Sequence, residues 1–208
     1  MKTRLFLLFV TLAITTWAPT ILARESVAIP VGTPGVVGTE GVLNGVDTTG
    51  DGILNVGDNQ NINTNNDAGG AFRTSAGSTG EILFIGNSTV TEDTGQTGTL
   101  YRQINAGATG STVNFNGDIY STTFSVSGTD IVNFNGDVTA ATNFANDGFI
   151  NLGAGNLLTG AITTNTGNTG TLTLNGNSSV TGAIGGANGL KKINVVGGNA
   201  SVTGAVQA

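Results

Sequence analysis

Short apolar–polar–apolar triplets recur along the second half of the chain. They are Val113-Asn114-Phe115, Val132-Asn133-Phe134, Ile150-Asn151-Leu152, Leu172-Thr173-Leu174 and Ile193-Asn194-Val195. In extended backbone the outer two residues of a triplet share one side and the middle residue takes the other. Each triplet therefore predicts a short strand with buried ends and a solvated centre. After each comes a glycine, a small or acidic residue and a β-branched residue: Gly117-Asp118-Ile119, Gly136-Asp137-Val138, Gly160-Ala161-Ile162, Gly182-Ala183-Ile184 and Gly204-Ala205-Val206. These glycines are spaced by 19, 24, 22 and 22 residues. A period in that range is the mark of a repeat architecture. The pattern predicts an all-β fold, a parallel β-helix or solenoid of about 19–24-residue rungs. Rungs stacked at about 4.8 Å bury a continuous apolar column, and five of them make a section roughly 24 Å long. Asn114, Asn133, Asn151 and Asn194, at the triplet centres, are placed to form an outward amide ladder.

The repeats have two forms. In the first two, triplet and glycine are joined directly by Asn116-Gly117 or Asn135-Gly136. In the last three an inserted segment ends in Leu158-Thr159, Val180-Thr181 or Val202-Thr203. A stacked fold tolerates such change at its corners, because only the strands must keep register. Asn-Gly between alternating apolar residues is also the strongest short signal for an antiparallel hairpin. The three later repeats keep the flanking strands and lose the tight turn, which favours the solenoid. Ahead of the five repeats, Ile82-Leu83-Phe84-Ile85 predicts a strand, and Gly86-Asn87-Ser88-Thr89-Val90-Thr91 is similar to Gly176-Asn177-Ser178-Ser179-Val180-Thr181. A sixth, degenerate repeat is expected there.

The solenoid is expected over residues 81–208. Residues 24–80 read as a turn-rich N-terminal region, where Pro, Gly, Asn, Asp and Thr crowd together. Residues 1–23 read as a cleavable signal helix: Lys2 and Arg4 precede the apolar run Leu5 to Ile14, and Ile21-Leu22-Ala23 is a cleavage triplet. Cleavage there leaves 5 basic against 13 acidic residues, a net charge of −8. An acidic surface of this kind disfavours nucleic acid and anionic lipid as partners.

The 208 residues include no Cys and no His. Disulfides, cysteine nucleophiles, Ser-His-Asp triads and His/Cys zinc sites are excluded from this stretch. One metal-site candidate remains. Over Asp47–Asp58, side-chain oxygens fall at Asp47, Thr49, Asp51, Asn55 and Asp58, and Ile53 offers a backbone carbonyl. This is the ligand order of an EF-hand calcium loop, with Asp in the place of its last Glu. The segment resembles the calcium loop of dockerin modules, but Thr49 replaces the usual Asn or Asp and no helix flanks it. A polar Asp-Gly turn explains the same residues. Asp118 and Asp137 hold equivalent positions in adjacent rungs. They read either as solvated turn aspartates or as an acid/base pair of the kind found in pectin-degrading β-helices. The segment 148–190 carries no charge, which suits ordinary solenoid exterior or contact with carbohydrate or protein. Lys191-Lys192, which ends it, reads as a solvated corner.

The segments 171–177, 180–188 and 193–200 resemble the passenger repeats of rickettsial-type surface antigens and related bacterial autotransporters. The resemblance spans about residues 80–208. It implies a β-helical passenger displayed outside the outer membrane, non-enzymatic, and acting as an adhesin or surface coat. Its implied partners are a host-cell surface protein or glycan. The family also carries a C-terminal translocator barrel, its only membrane contact, which this sequence does not include. The sequence stops just past a repeat, so an uncapped solenoid end open to self-association is expected. A polysaccharide-binding or polysaccharide-degrading β-helix and a calcium-binding secreted module remain as alternatives.

Overall fold

A computed structural model describes residues 25–28, 35–37, 41–43, 46–62, 70–107 and 110–208. The signal segment and its cleavage triplet lie outside the described residues. All regular structure among those described is β, and the chain winds through three faces in turn. The first pass is β1 (Glu25–Ala28), β2 (Gly35–Val37) and β3 (Gly41–Leu43). The second is β4 (Val46–Thr49), β5 (Ile53–Val56) and β6 (Gln60–Ile62). The third is β7 (Phe72–Thr74), β8 (Thr79–Phe84) and β9 (Ser88–Val90). The fourth touches the first face only at Thr94, then forms β10 (Tyr101–Ala106) and β11 (Thr112–Phe115). Next, β12 (Ile119–Val126) runs unbroken from the first face to the second, and β13 (Ile131–Phe134) takes the third. β14 (Val138–Phe144) and β15 (Phe149–Leu152) repeat that arrangement. β16 (Leu157–Thr159), β17 (Ile162–Thr164) and β18 (Thr169–Asn175) follow, then β19 (Ser179–Thr181), β20 (Ile184–Gly185) and β21 (Leu190–Val196). β22 (Ser201–Val202) returns to the first face.

Every pairing between these strands is parallel. The expected solenoid is therefore present, and the hairpin alternative is not. The hairpin fails for a local reason. A two-residue turn of the preferred type needs positive φ at both central residues, and neither Asn116-Gly117 nor Asn135-Gly136 has it. On the third face the register aligns Gly41, Gln60, Ser88, Val113, Val132, Ile150, Leu172 and Ile193. Rung lengths are therefore 19, 28, 25, 19, 18, 22 and 21 residues, a wider spread than the spacing of the glycines predicts. Eight strands at about 4.8 Å make this sheet roughly 34 Å deep.

The core is the inside of the three faces. The outer residues of the first four triplets point inward and are at most 1% exposed. Aromatic rings link successive rungs: Phe72, Phe84, Phe115 and Phe124 meet edge to face at centroid distances of 6.1, 5.2 and 5.7 Å, and Phe134 joins Phe124 at 5.0 Å. Edge-to-face contact sets the positive rim of one ring on the negative face of the next. At β21, the edge strand of the third sheet, the inward column emerges: Val195 is 56% exposed, whereas its register partner Leu174 is 1% exposed.

Three expectations change. First, parallel rungs begin well before residue 81, since β4 to β7 pair into the same stack. Their inward positions include Thr48, Gln60 and Thr74, each buried, so apolar alternation is interrupted there. Thr48 Oγ1 donates to the Arg73 carbonyl at 3.0 Å, and Tyr101 Oη donates to the same carbonyl at 2.6 Å, which pairs these two inward hydroxyls, whereas Gln60 Oε1 is buried without a partner among the described residues. Second, the segment of Gly86–Thr91 forms a third-face strand, β9, while the similar Gly176–Thr181 forms a first-face strand, β19. Third, Lys191 and Lys192 lie within β21 rather than at a corner.

Candidate functional site

The five glycine segments are not one column. Ile119 and Val138 pair on the first face, and Val138 pairs next with Leu158, which pairs with Val180. Ile162 and Ile184 lie on the second face, in register with Thr142. The rungs following Asp118 and Asp137 therefore place Leu157 and Ser179 at the aspartate position, not Ala161 and Ala183. The two repeat forms are a change of face: a corner glycine marks the entry to the first face in one form and its exit in the other.

The aspartates act at the first of these corners. Asp93 Oδ1 accepts the backbone N–H of Asp118 at 2.8 Å, Asp118 Oδ1 accepts that of Asp137 at 2.8 Å, and Asp137 Oδ1 accepts that of Leu157 at 2.8 Å. Each carboxylate thus satisfies a donor of the next rung that the sheet leaves open at the bend. Asp93 was not legible in the sequence, because Glu92-Asp93-Thr94 follows no triplet. Tyr120 Oη donates to Asp118 Oδ2 at 3.2 Å. Burial pushes the Tyr120 phenol above its ordinary value, and the charges of Asp118 and Asp93 add to that.

The same device occurs at other corners. Asp58 Oδ1 accepts the N–H of Asn87 at 2.7 Å, and Asn87 Oδ1 accepts that of Thr112 at 3.0 Å. Asp51 Oδ1 accepts the N–H of Gly80 at 2.9 Å and the Arg102 Nε–H at 3.0 Å. Of the calcium-loop candidates, Asp47 and Thr49 lie on β4, and Ile53 and Asn55 lie on β5 in the next face. Asp51 sits at the corner between these strands, and Asp58 follows β5. A segment that an EF-hand would wrap around an ion is drawn out as two strands. Among the described residues no group of three or more His, Cys, Asp or Glu side chains is arranged to hold a metal.

Among the described residues, the ion pairs of Asp147 with Lys191 and of Asp51 with Arg102 tie distant rungs. Asp147 accepts from Lys191 Nζ and from the backbone N–H of Gly170 at 3.1 Å. The Lys191 ammonium foremost, with Gly170, holds the Asp147 carboxyl below its usual range. Asp51 is likewise held low, by the Gly80 N–H first and then by the Arg102 guanidinium. A depressed folded-state pKa gives stability that is present above the unfolded value, near pH 4, and lost as pH falls through the folded value. The melting temperature should hold steady down to about pH 4 and drop below it. Lys191→Met should lessen that drop. Thermal melts across pH 2–7 check both statements, and a drop unchanged in Lys191→Met would detach it from this pair.

The third face carries the amide ladder. Asn133 Nδ2 donates to Asn114 Oδ1 at 2.7 Å, and Asn151 Nδ2 donates to Asn133 Oδ1 at 2.8 Å. Thr89 and Thr173 stand at its two ends. Asn194 reaches Thr173 Oγ1 at 3.4 Å rather than another amide. A parallel row links Asn135 Nδ2 to Asn116 Oδ1 at 2.9 Å. Asn133→Ala removes two bonds from a half-solvated site, where water replaces the lost partners. It should cost about 1 kcal/mol in urea unfolding. At the N-terminal end of this face a groove of about 420 Å³ is lined by Asn59, Asn61, Asn87, Thr89, Thr112 and Asn114, among others.

No family model, curated protein or solved structure matches the chain.

Proposed function

We propose that this chain is an exported, non-enzymatic segment of a cell-surface protein, built for display and adhesion in the manner of an autotransporter passenger. The observation that carries this reading is the use of the corner acids. Asp58, Asp93, Asp118 and Asp137 each hold a backbone N–H of the following rung, so they serve the stack. A parallel solenoid maintained in this way presents long regular faces, the geometry of a scaffold and contact surface. The signal-like residues 1–23 and the resemblance of the later repeats to passenger sequences support export.

The test has two arms. Expressed in a Gram-negative host, the full chain should leave the cytoplasm and begin at Arg24 by mass spectrometry; an uncleaved cytoplasmic chain contradicts export. Beads coated with the purified chain should adhere to cultured host cells well above albumin-coated beads. Adhesion equal to albumin would contradict the adhesive role.

A further inference from the structure

The outward side of the third face holds three columns over four rungs. One runs Thr112, Ile131, Phe149, Thr171; the next runs Asn114, Asn133, Asn151, Thr173; the last runs Asn116, Asn135, Gly153, Asn175. None of these residues is charged, and all but the buried Thr171 are at least partly exposed. Ile131 and Phe149 are in register and 39% and 40% exposed, although residues of their size are ordinarily buried. They form an apolar step beside the amide ladder. Ladder bonds consume one N–H of each amide, so Asn114, Asn133 and Asn151 each keep a second donor, and Asn151 Oδ1 accepts no bond among the described residues.

We infer that this face binds a neutral glycan laid along the solenoid axis. Phe149 and Ile131 stack against the C–H face of a sugar ring, and the amides of Asn133 and Asn151 bind its hydroxyls. The chemistry selects the ligand. An aromatic ring with an amide alongside meets both sides of a pyranose, which is apolar on its face and polar at its rim. Over these four rungs an anionic polymer finds no cation and a cationic partner no carboxylate; the first charge along the columns is Lys192, in register with Thr171 in the next rung. The rung spacing of about 4.8 Å also repeats the same donor set close to the length of one sugar unit. This inference rests on the adhesive reading and names the class of its receptor.

Nuclear magnetic resonance titration of the full chain with cellohexaose, maltohexaose, mannohexaose and hexagalacturonic acid tests it. At least one neutral hexasaccharide should shift the amide signals of β13 and β15, and the anionic one should not. Phe149→Ser, on the surface and outside the core, should weaken that binding about tenfold. Asn151→Ala, which keeps the rest of the ladder, should also weaken it. No response to any neutral sugar, or shifts confined to other faces, would overturn the inference. Bead adhesion of the same variants separates the two claims. Adhesion that survives both Phe149→Ser and excess sugar overturns the glycan site and leaves the adhesive reading standing.

Discussion

Phe134→Ala is expected to destabilise the solenoid by about 4 kcal/mol in urea unfolding. The ring is fully buried, 5.0 Å from Phe124 and 6.0 Å from Phe115 by centroid. Removing it forfeits the transfer energy of the side chain and leaves a cavity between rungs, because strands held by parallel pairing on both sides cannot collapse inward. A solenoid holds itself together mainly by contacts between neighbouring rungs. The variant should therefore lose cooperativity as well as stability, with a lower slope against urea or two separate transitions. The contrast with Asn133→Ala, the adjacent residue, is informative: one side chain points in and the other out. Equal costs for the two would mean the alternation along β13 is not as described.

Gly182→Ala is expected to cost about 3 kcal/mol, although only a methyl group is added at a half-exposed corner. Gly182 has φ of 151°, a conformation that L side chains rarely adopt. A Cβ there would sit 2.3 Å from the carbonyl oxygen of Gly160 in the rung before. Its successor in the stack, Gly204, is as tight: a Cβ there would meet the Gly182 oxygen at 2.3 Å. Backbone lies against backbone at this corner, so no flexible side chain can move aside. Gly167→Ala is the control, since its Cβ would meet nothing within 4 Å and its φ is not positive. That variant should stay within about 0.5 kcal/mol of the parent. Thermal or urea unfolding of the pair checks the claim, and a Gly182→Ala variant as stable as Gly167→Ala would contradict it.

The third face was legible because its strands alternate cleanly: Val132 and Phe134 inward, Asn133 outward. Four of its triplets fall inward as the pattern predicts, and the amide ladder forms over Asn114, Asn133 and Asn151. The first and second faces were harder to read. There the chain bends within β12 and β14, and a short glycine-marked segment looks alike on either side of the bend. That is why Gly136 and Gly160 align in sequence and stand at different corners in space. The N-terminal rungs were obscured by polar residues turned inward: Gln60 and Thr74 bond to near neighbours in the chain, Asp58, Ala76 and Thr79, whereas Thr48 bonds to the distant Arg73 and Tyr101, which local pattern does not reveal. The corner role of Asp93, Asp118 and Asp137 was hidden for the same reason. A carboxylate that accepts a backbone N–H from the next rung has the same local sequence as one in water.

Register is the central claim, and cysteine cross-linking measures it directly, because the chain has no native Cys. The structure pairs Thr139 with Thr159 on the first face, both exposed, whereas alignment of the glycine segments pairs Thr139 with Thr163. Partners on adjacent parallel strands lie about 4.8 Å apart, within the reach of a disulfide. Under mild oxidation Thr139→Cys with Thr159→Cys should cross-link rapidly within one chain, and Thr139→Cys with Thr163→Cys should not. Rapid closure of the second pair, with the first left reduced, would contradict the stack described.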